Sequence, residues 1–263
     1  MKTIICIAAF CLFVCELSTR AVSTNAAIFD VVFIGDSITE GGALQKAGKP
    51  TTPILCGEEI SRQLDAEVFV SNQGHSGHTT VDFRSINGEK SDLAQVKAAA
   101  DGLQATHPGH LIFSIMLGAN DSATKGPNGA PVLAANYETN LRRMIDELLH
   151  SFPEAKIVVH DPLWYSSNTQ NSSEYGEAGQ KRLLTYPPAI ANLARSYGVT
   201  TAGHVYQGDE AAYVFFEKNY LSDLSEQHGP KGVFYLHPND IGSRHLALFW
   251  AGSIVSAART DWQ

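Results

Sequence analysis

Residues 28–39 read IFDVVFIGDSIT, and the architecture of the chain can be worked out from this stretch. An apolar, β-branched run that stops at a glycine predicts a buried strand over residues 31–34 and a sharp turn at Gly35. Ser37 then lies at the carboxyl end of that strand, the edge at which open α/β sheets bind their ligands. A serine here is also a common helix N-cap, so both interpretations stay open on these residues alone.

Strand and helix patterns alternate along the rest of the chain. Further strands are predicted over residues 67–71, 110–117 and 156–160. Helices are predicted over residues 53–64, 93–103, 136–150, 180–197 and 240–257. This alternation predicts an α/β fold, a three-layer αβα sandwich around a parallel sheet. Two long irregular segments, 118–135 and 161–178, follow strands at the same edge as Ser37, and we expect them to carry function.

The amino terminus has the pattern of a secretory leader. A charged start is followed by an apolar run up to Cys15 that is too short to span a membrane comfortably. We predict a signal peptide over residues 1–26, cleaved after Ala21 or Ala26, and one domain over residues 27–263 that is secreted or periplasmic. A retained anchor, attached as a lipoprotein through Cys15, is the alternative.

Composition and charge limit the classes of partner. The 263 residues are 44% hydrophobic and 17% charged, which suits one large globular domain. Loss of Lys2, Glu16 and Arg20 with the leader would take the net charge from −8 to −9 and leave Cys56 as the sole cysteine. An acidic surface disfavours nucleic acid and anionic membranes. We therefore expect no nucleic-acid partner and no stable membrane association after cleavage.

Three later segments supply the groups that a reactive serine hydroxyl needs, namely a base and donors for an oxyanion. His237, just before the last predicted helix, is the candidate base. Asn120 follows the third strand with an amide NH₂, and Gly77 follows the second strand, where a glycine permits close approach of a backbone N–H. Each residue also has an ordinary role in a turn or loop. Their shared position at successive strand ends favours a site.

Four segments in this order resemble the motifs of the GDSL or SGNH hydrolases: Gly35-Asp36-Ser37, Gly77, Gly118-x-Asn120-Asp121 and His237-Pro238-Asn239. The resemblance spans most of the chain and implies a flavodoxin-like sandwich and ester hydrolysis without a cofactor. It implies that Ser37 is the nucleophile and His237 the base. The N–H groups of Ser37 and Gly77 and the side chain of Asn120 would form the oxyanion hole.

The resemblance also suggests a substrate class. A secreted esterase that removes short acyl groups, acetyl above all, from carbohydrates is expected. A lipase or lysophospholipase is one alternative and would need an apolar acyl channel, for which residues 214–216 are a candidate. A non-catalytic carbohydrate-binding protein on the same scaffold is another. Trp164 follows a strand end, where it could stack on a sugar ring or belong to the core.

One position departs from the family pattern. The family usually has an aspartate three residues before its histidine, and here that position is Phe234. A phenylalanine cannot accept the second imidazole N–H, so another group must orient the ring. We predict a main-chain carbonyl in this role. A carboxylate from Asp209, Asp223 or Glu226 is the alternative.

No metal is expected from the sequence. The spacing of His75 and His78 could suggest a metal site, but no nearby set of cysteines or carboxylates completes a ligand shell. Surface or loop histidines are the simpler interpretation.

Overall fold

The computed structural model describes residues 26–84 and 91–262, so nearly all of the predicted leader, 1–26, lies outside the described residues. Within them, the central sheet consists of β1 (Ile28–Gly35), β2 (Glu67–Gly74), β3 (His110–Met116), β4 (Lys156–Val159) and β5 (Val205–Gln207). The strands are all parallel and lie in the order β2-β1-β3-β4-β5. This is the flavodoxin-like order, whose chain reversal between β1 and β3 opens a crevice at their carboxyl ends.

Helices cover both faces of this sheet. They are α1 (Ser37–Glu40), α2 (Gly42–Lys46), α3 (Thr52–Leu64), α4 (Asp92–Thr106), α5 (Ala134–Ser151), α6 (Gly176–Leu183), α7 (Tyr186–Thr200), α8 (Ala212–Asp223) and α9 (Asp240–Ala258). On one face α3 packs against α9, and on the other α5 packs against α4 and α7. The β1 side chains from Val31 to Ile34 are fully buried between these layers. The predicted three-layer sandwich is confirmed.

Several elements differ from the sequence prediction. The single helix predicted over residues 180–197 is two helices, α6 and α7, because Pro187 and Pro188 lack an N–H and fit only the first turn of a helix. The sequence prediction also lacked β5, α8 and an antiparallel hairpin of β6 (Leu224–Gly229) and β7 (Gly232–Pro238). A Gly229-Pro230-Lys231-Gly232 turn before an apolar, aromatic run is the signal that indicates such a hairpin.

The remaining cysteine and the lengths of the helices concern the expected partners and cellular setting. Cys56 is a free, buried thiol in α3, and burial raises its pKa. No helix among the described residues combines the length and the apolar character needed to cross a bilayer.

Candidate active site

Ser37 is positioned by the tight turn between β1 and α1. The Asp36 carboxylate caps the helix by accepting a hydrogen bond from the Ile38 N–H at 2.9 Å. Gly35 cannot be replaced without movement, because a Cβ there would lie 2.0 Å from the Thr39 hydroxyl oxygen. The absence of a side chain at Gly35 lets α1 fold directly over the strand end, which leaves Ser37 in the first helical turn, partly exposed at the crevice.

His237 reaches the same crevice from the other end of the chain. It lies in β7, just before Asn239, whose side chain accepts hydrogen bonds from two backbone N–H groups and caps α9. The Ser37 Oγ and the His237 Nε2 are 2.8 Å apart. Burial lowers the pKa of His237 to about 4, although the Glu40 carboxylate raises it. The imidazole is therefore neutral at pH 7 and able to accept a proton from the serine hydroxyl.

The second imidazole nitrogen has a partner that the sequence prediction did not include. The His237 Nδ1 lies 2.8 Å from the side-chain oxygen of Gln227 in β6. The prediction that a main-chain carbonyl accepts the Nδ1 proton is therefore wrong. Phe234 is buried in the core and pairs with Gln227 across the hairpin, so an apolar side chain occupies the position of the usual aspartate.

The three candidate carboxylates are engaged elsewhere, so that alternative is wrong as well. Asp209 accepts hydrogen bonds from backbone N–H groups at the start of α8. Asp223 hydrogen-bonds the His245 ring, and Glu226 lies 3.3 Å from the His228 ring. None of them contacts His237 within the described part of the chain.

Gly77 and Asn120 lie on adjacent loops that are tied together. The Asn120 amide nitrogen donates to the carbonyl of His78, the residue after Gly77, at 3.0 Å. Gly77 has a φ of 83°, which favours glycine over residues with a Cβ. On the other side of Gly77, Ser76 hydrogen-bonds the Glu40 carboxylate of α1. The loop containing Gly77 thus contacts both Asn120 and the helix that begins with Ser37.

Asn120 is held by Tyr175, which the sequence prediction missed, and its neighbour Asp121 anchors the same loop. The Tyr175 hydroxyl donates to the side-chain oxygen of Asn120 at 2.7 Å, which fixes which end of the amide is the donor. The buried Asp121 accepts from the backbone N–H of Thr80 at 3.0 Å, and burial raises the pKa of this carboxyl to about 6. Tyr175 belongs to the irregular segment expected to carry function, but no local pattern marks it as a partner of Asn120.

Trp164 does not line the crevice beside Ser37. Its side chain is buried, and its ring packs on Tyr220 of α8 with 5.3 Å between centroids. The core interpretation of Trp164 is thus favoured over sugar stacking. Residues 214–216 lie in α8 and do not line the crevice either: Phe216 is fully buried and Phe215 packs on Phe249.

The crevice itself is small, with a volume of about 270 Å³. Beyond Ser37, His237 and Gln227, small residues make up much of its wall, and Glu40 and Lys46 contribute the charged groups. The remaining lining residues are Ile38, Gly41, Gly42, Ala43, Leu44, Ser76, Pro238 and Ser243. Over residues 26–84 and 91–262, no group of three or more His, Cys, Asp or Glu side chains is arranged to hold a metal ion.

Comparison with known proteins identifies the family to which this arrangement belongs. The model of the GDSL-like lipase/acylhydrolase family matches residues 33–245, a span that contains Ser37, Asn120 and His237. The chain belongs to this family. The chain is therefore a carboxylic ester hydrolase by family membership. No curated protein matches its sequence.

Solved structures share the fold at low sequence identity. An aryl esterase of M. smegmatis is 16% identical, with a TM-score of 0.55 over 87% of this chain and 99% of its own. A carbohydrate acetylesterase of Sinorhizobium meliloti is 13% identical, with a TM-score of 0.55 over 86% and 98%. A catalytic mutant of an acetylxylan esterase from Geobacillus stearothermophilus is 19% identical, with a TM-score of 0.51 over 89% and 95%. At these identities the likeness establishes the fold.

Proposed function

We propose that the protein is a secreted serine esterase that removes short acyl groups, acetyl above all, from carbohydrates. Ser37 is the nucleophile and His237 the general base. The observation that supports these roles best is the 2.8 Å contact between the Ser37 Oγ and a neutral, largely desolvated imidazole. A nucleophile and a base within hydrogen-bond reach, with the base held by a third group, are the arrangement that activates a serine hydroxyl.

The reaction proceeds in two halves. Ser37 Oγ attacks the ester carbonyl carbon while its proton moves to His237 Nε2, and the carbonyl oxygen becomes an oxyanion. The protonated His237 then gives that proton to the leaving alcohol, and the acyl group stays on Ser37. A water molecule attacks this acyl-enzyme with His237 again accepting the proton. Return of the proton to Ser37 releases the carboxylic acid.

The oxyanion is bound by donors at three strand ends. These are the N–H groups of Ser37 and Gly77 and the side-chain amide of Asn120. The Asn120 amide has two N–H groups, of which His78 takes one, and the other serves the oxyanion. Because Tyr175 fixes the amide, this donor needs little rearrangement when charge develops, the condition under which such donors accelerate reactions most.

The dimensions of the crevice support a short acyl group. A volume of about 270 Å³ lies just below the usual range for pockets that hold drug-sized ligands, which favours a short acyl group over a long one. Glu40, Lys46 and Ser76 present polar groups beside Ser37, which suits an alcohol that carries further hydroxyls. The names of two structural relatives, a carbohydrate acetylesterase and an acetylxylan esterase, are consistent with this substrate class.

The cellular setting is part of the proposal. Residues 1–26 act as a leader that is removed, and residues 27–263 form one catalytic domain that works outside the cytoplasm. Its substrate is a small-molecule or glycan ester, and it needs no nucleic-acid partner.

A chain-length series tests the activity. We expect p-nitrophenyl acetate to be hydrolysed with a kcat/KM at least about tenfold above that for the octanoate ester, because the small crevice with polar groups in its wall favours the short acyl group. A panel of acetylated glycans, with free acetate measured, then identifies the natural alcohol. A preference for octanoate would favour a lipase. Glycan binding without any hydrolysis would favour the non-catalytic alternative.

The pH dependence tests the role assigned to His237. Because the base works only when unprotonated, kcat/KM should fall as the pH drops through the pKa of the imidazole, which burial lowers to about 4. Activity should therefore persist at pH 5, where an ordinary histidine would be largely protonated. An acid limb near pH 6.5 would contradict a desolvated histidine base.

A further inference from the structure

The position that normally holds an aspartate is filled in this chain by a buried Phe234, yet the imidazole of His237 is not left without a partner. Its Nδ1 lies 2.8 Å from the side-chain oxygen of Gln227 while its Nε2 lies 2.8 Å from the Ser37 hydroxyl. Both ring nitrogens are therefore in hydrogen-bond contact, each with one neutral group.

We propose that Gln227 is the positioning residue of this site, a neutral replacement for the third member of a serine–histidine–carboxylate triad. Its carbonyl oxygen accepts the Nδ1 proton of His237, so the Nε2 lone pair is directed at Ser37. This inference rests on the proposed function of Ser37 and His237. It assigns to Gln227 an action on the histidine and no contact with the reacting atoms.

The pairing of β6 and β7 explains how a glutamine ten residues away can take this role. Glu226 pairs with Tyr235. The next pair joins Leu224 to Pro238. Between these two pairs β7 has two residues, Leu236 and His237, whereas β6 has only Ser225. An extra residue of this kind is a β-bulge, which re-aims side chains and is common beside active sites. Here it brings His237 onto the side of the hairpin occupied by the glutamine.

A neutral acceptor has a different electrostatic consequence from a carboxylate. A carboxylate beside the ring would favour the charged imidazolium, whereas an amide oxygen fixes the tautomer with little effect on charge. Among the charged groups on the surrounding elements, only Glu40 raises the pKa of His237. The other charged or titratable groups on these elements do not contribute to the shift of this pKa; they include Lys46 of α2, Glu217, Lys218 and Asp223 of α8, Glu226 and His228 of β6, and Asp240, Arg244 and His245 of α9. The site thus has a partly buried histidine without a carboxylate directly on its Nδ1.

Two substitutions of Gln227 separate its effect on the orientation of the His237 imidazole from the effect that a charged acceptor would have. Gln227→Leu removes the acceptor and keeps a similar volume, and we expect kcat to fall about a hundredfold with KM nearly unchanged. This loss is smaller than that for a triad aspartate because the lost acceptor is uncharged. Gln227→Glu keeps an oxygen acceptor, so kcat should stay within about tenfold of wild type. Its carboxylate should move the acid limb of kcat/KM upward by about one pH unit or more.

Glu226→Gln is the matched control, since Glu226 is the neighbour of Gln227 in β6 and is exposed. It removes a carboxylate from the same strand without touching His237. We expect kcat within about twofold of wild type and an unchanged acid limb, as for an exposed charge. A shift of the acid limb in this control as large as in Gln227→Glu would overturn the specific role of Gln227.

Nuclear magnetic resonance of the His237 imidazole nitrogens provides a readout that does not depend on turnover. Comparison with His237→Ala assigns the signals. We expect the proton on Nδ1 in the wild type and in Gln227→Glu, and a mixture of tautomers in Gln227→Leu. If Gln227→Leu fails to fold, the wild-type tautomer and the pH profile of Gln227→Glu decide the matter. A wild-type proton on Nε2 at neutral pH would overturn the inference.

The outcomes also distinguish this inference from the proposed function. If wild type hydrolyses esters but Gln227→Leu keeps kcat within about threefold and the same pH profile, the positioning role fails and the esterase stands. If wild type hydrolyses no ester while the Nδ1 proton is observed, the hydrogen bond stands and the esterase fails.

Discussion

The two halves of the proposed catalytic pair come from regions that are specified in different ways. Ser37 is positioned mainly by residues 28–39, which supply an apolar strand, a glycine that permits the turn and an aspartate that caps the helix. His237 depends on the β6–β7 hairpin, whose register contains a bulge and whose Gln227 orients the ring. The first half is a local property of the sequence, and the second arises only from pairing between two strands.

The largest loss of activity is expected on substitution of Ser37, the residue that the local sequence positions. Ser37→Ala should lower kcat at least about ten-thousandfold, because it removes the nucleophile, with the unfolding temperature little changed. Initial rates with p-nitrophenyl acetate measure this. His237→Ala should lower kcat by a similar factor. The double variant should have a kcat no lower than that of either single variant, since the two residues act as a unit. Additive losses would mean that the two regions work independently.

Substitutions of Asn120, in the loop after β3, test an oxyanion donor that belongs to neither region. Asn120→Ala should lower kcat about a hundredfold and leave KM nearly unchanged, as expected for a group used mainly in the transition state. Tyr175→Phe keeps the amide but removes the hydroxyl that fixes it, and a smaller loss of about tenfold is expected because only orientation is relaxed. A rise in KM alone for Asn120→Ala would reassign it to substrate binding.

The smallest effects are expected for the carboxylates near the hairpin. Asp209→Asn and Asp223→Asn should each leave kcat within about tenfold of wild type, since neither contacts His237. Both side chains are buried and hydrogen-bonded, so the unfolding temperature is the quantity expected to fall. A loss near ten-thousandfold in kcat for either variant, with folding preserved, would show that the hairpin half relies on a charged third member after all.

How much could be predicted from the sequence follows the same division. Apolar runs revealed β1, β3 and β4, because burial on both faces of a parallel sheet leaves a continuous signal. A shorter apolar run marked the partly exposed edge strand β2, and a helical period indicated most helices. The positions of Ser37, Asn120 and His237 after strands or before a helix followed from those elements. Pro187 and Pro188 are a sequence signal for the break between α6 and α7, but the apolar pattern continues across them and indicated a single helix.

Gln227 could not be predicted in this way. A glutamine in a mostly polar strand carries no periodic signal, and its contact with His237 depends on which residues of β6 and β7 face each other. A shift of one residue in register would turn its side chain to the other face. Tyr175 was missed for the same reason, since its contact with Asn120 joins two irregular segments.

Reaction with a fluorophosphonate, followed by peptide mass spectrometry, shows whether Ser37 is a nucleophile that His237 activates. Such a probe forms a covalent bond with a serine whose hydroxyl is activated by a neighbouring base. We expect one adduct, on the peptide that contains Ser37, and labelling that is slower by orders of magnitude in His237→Ala. Labelling at another residue, or equally fast labelling of Ser37 without His237, would contradict it.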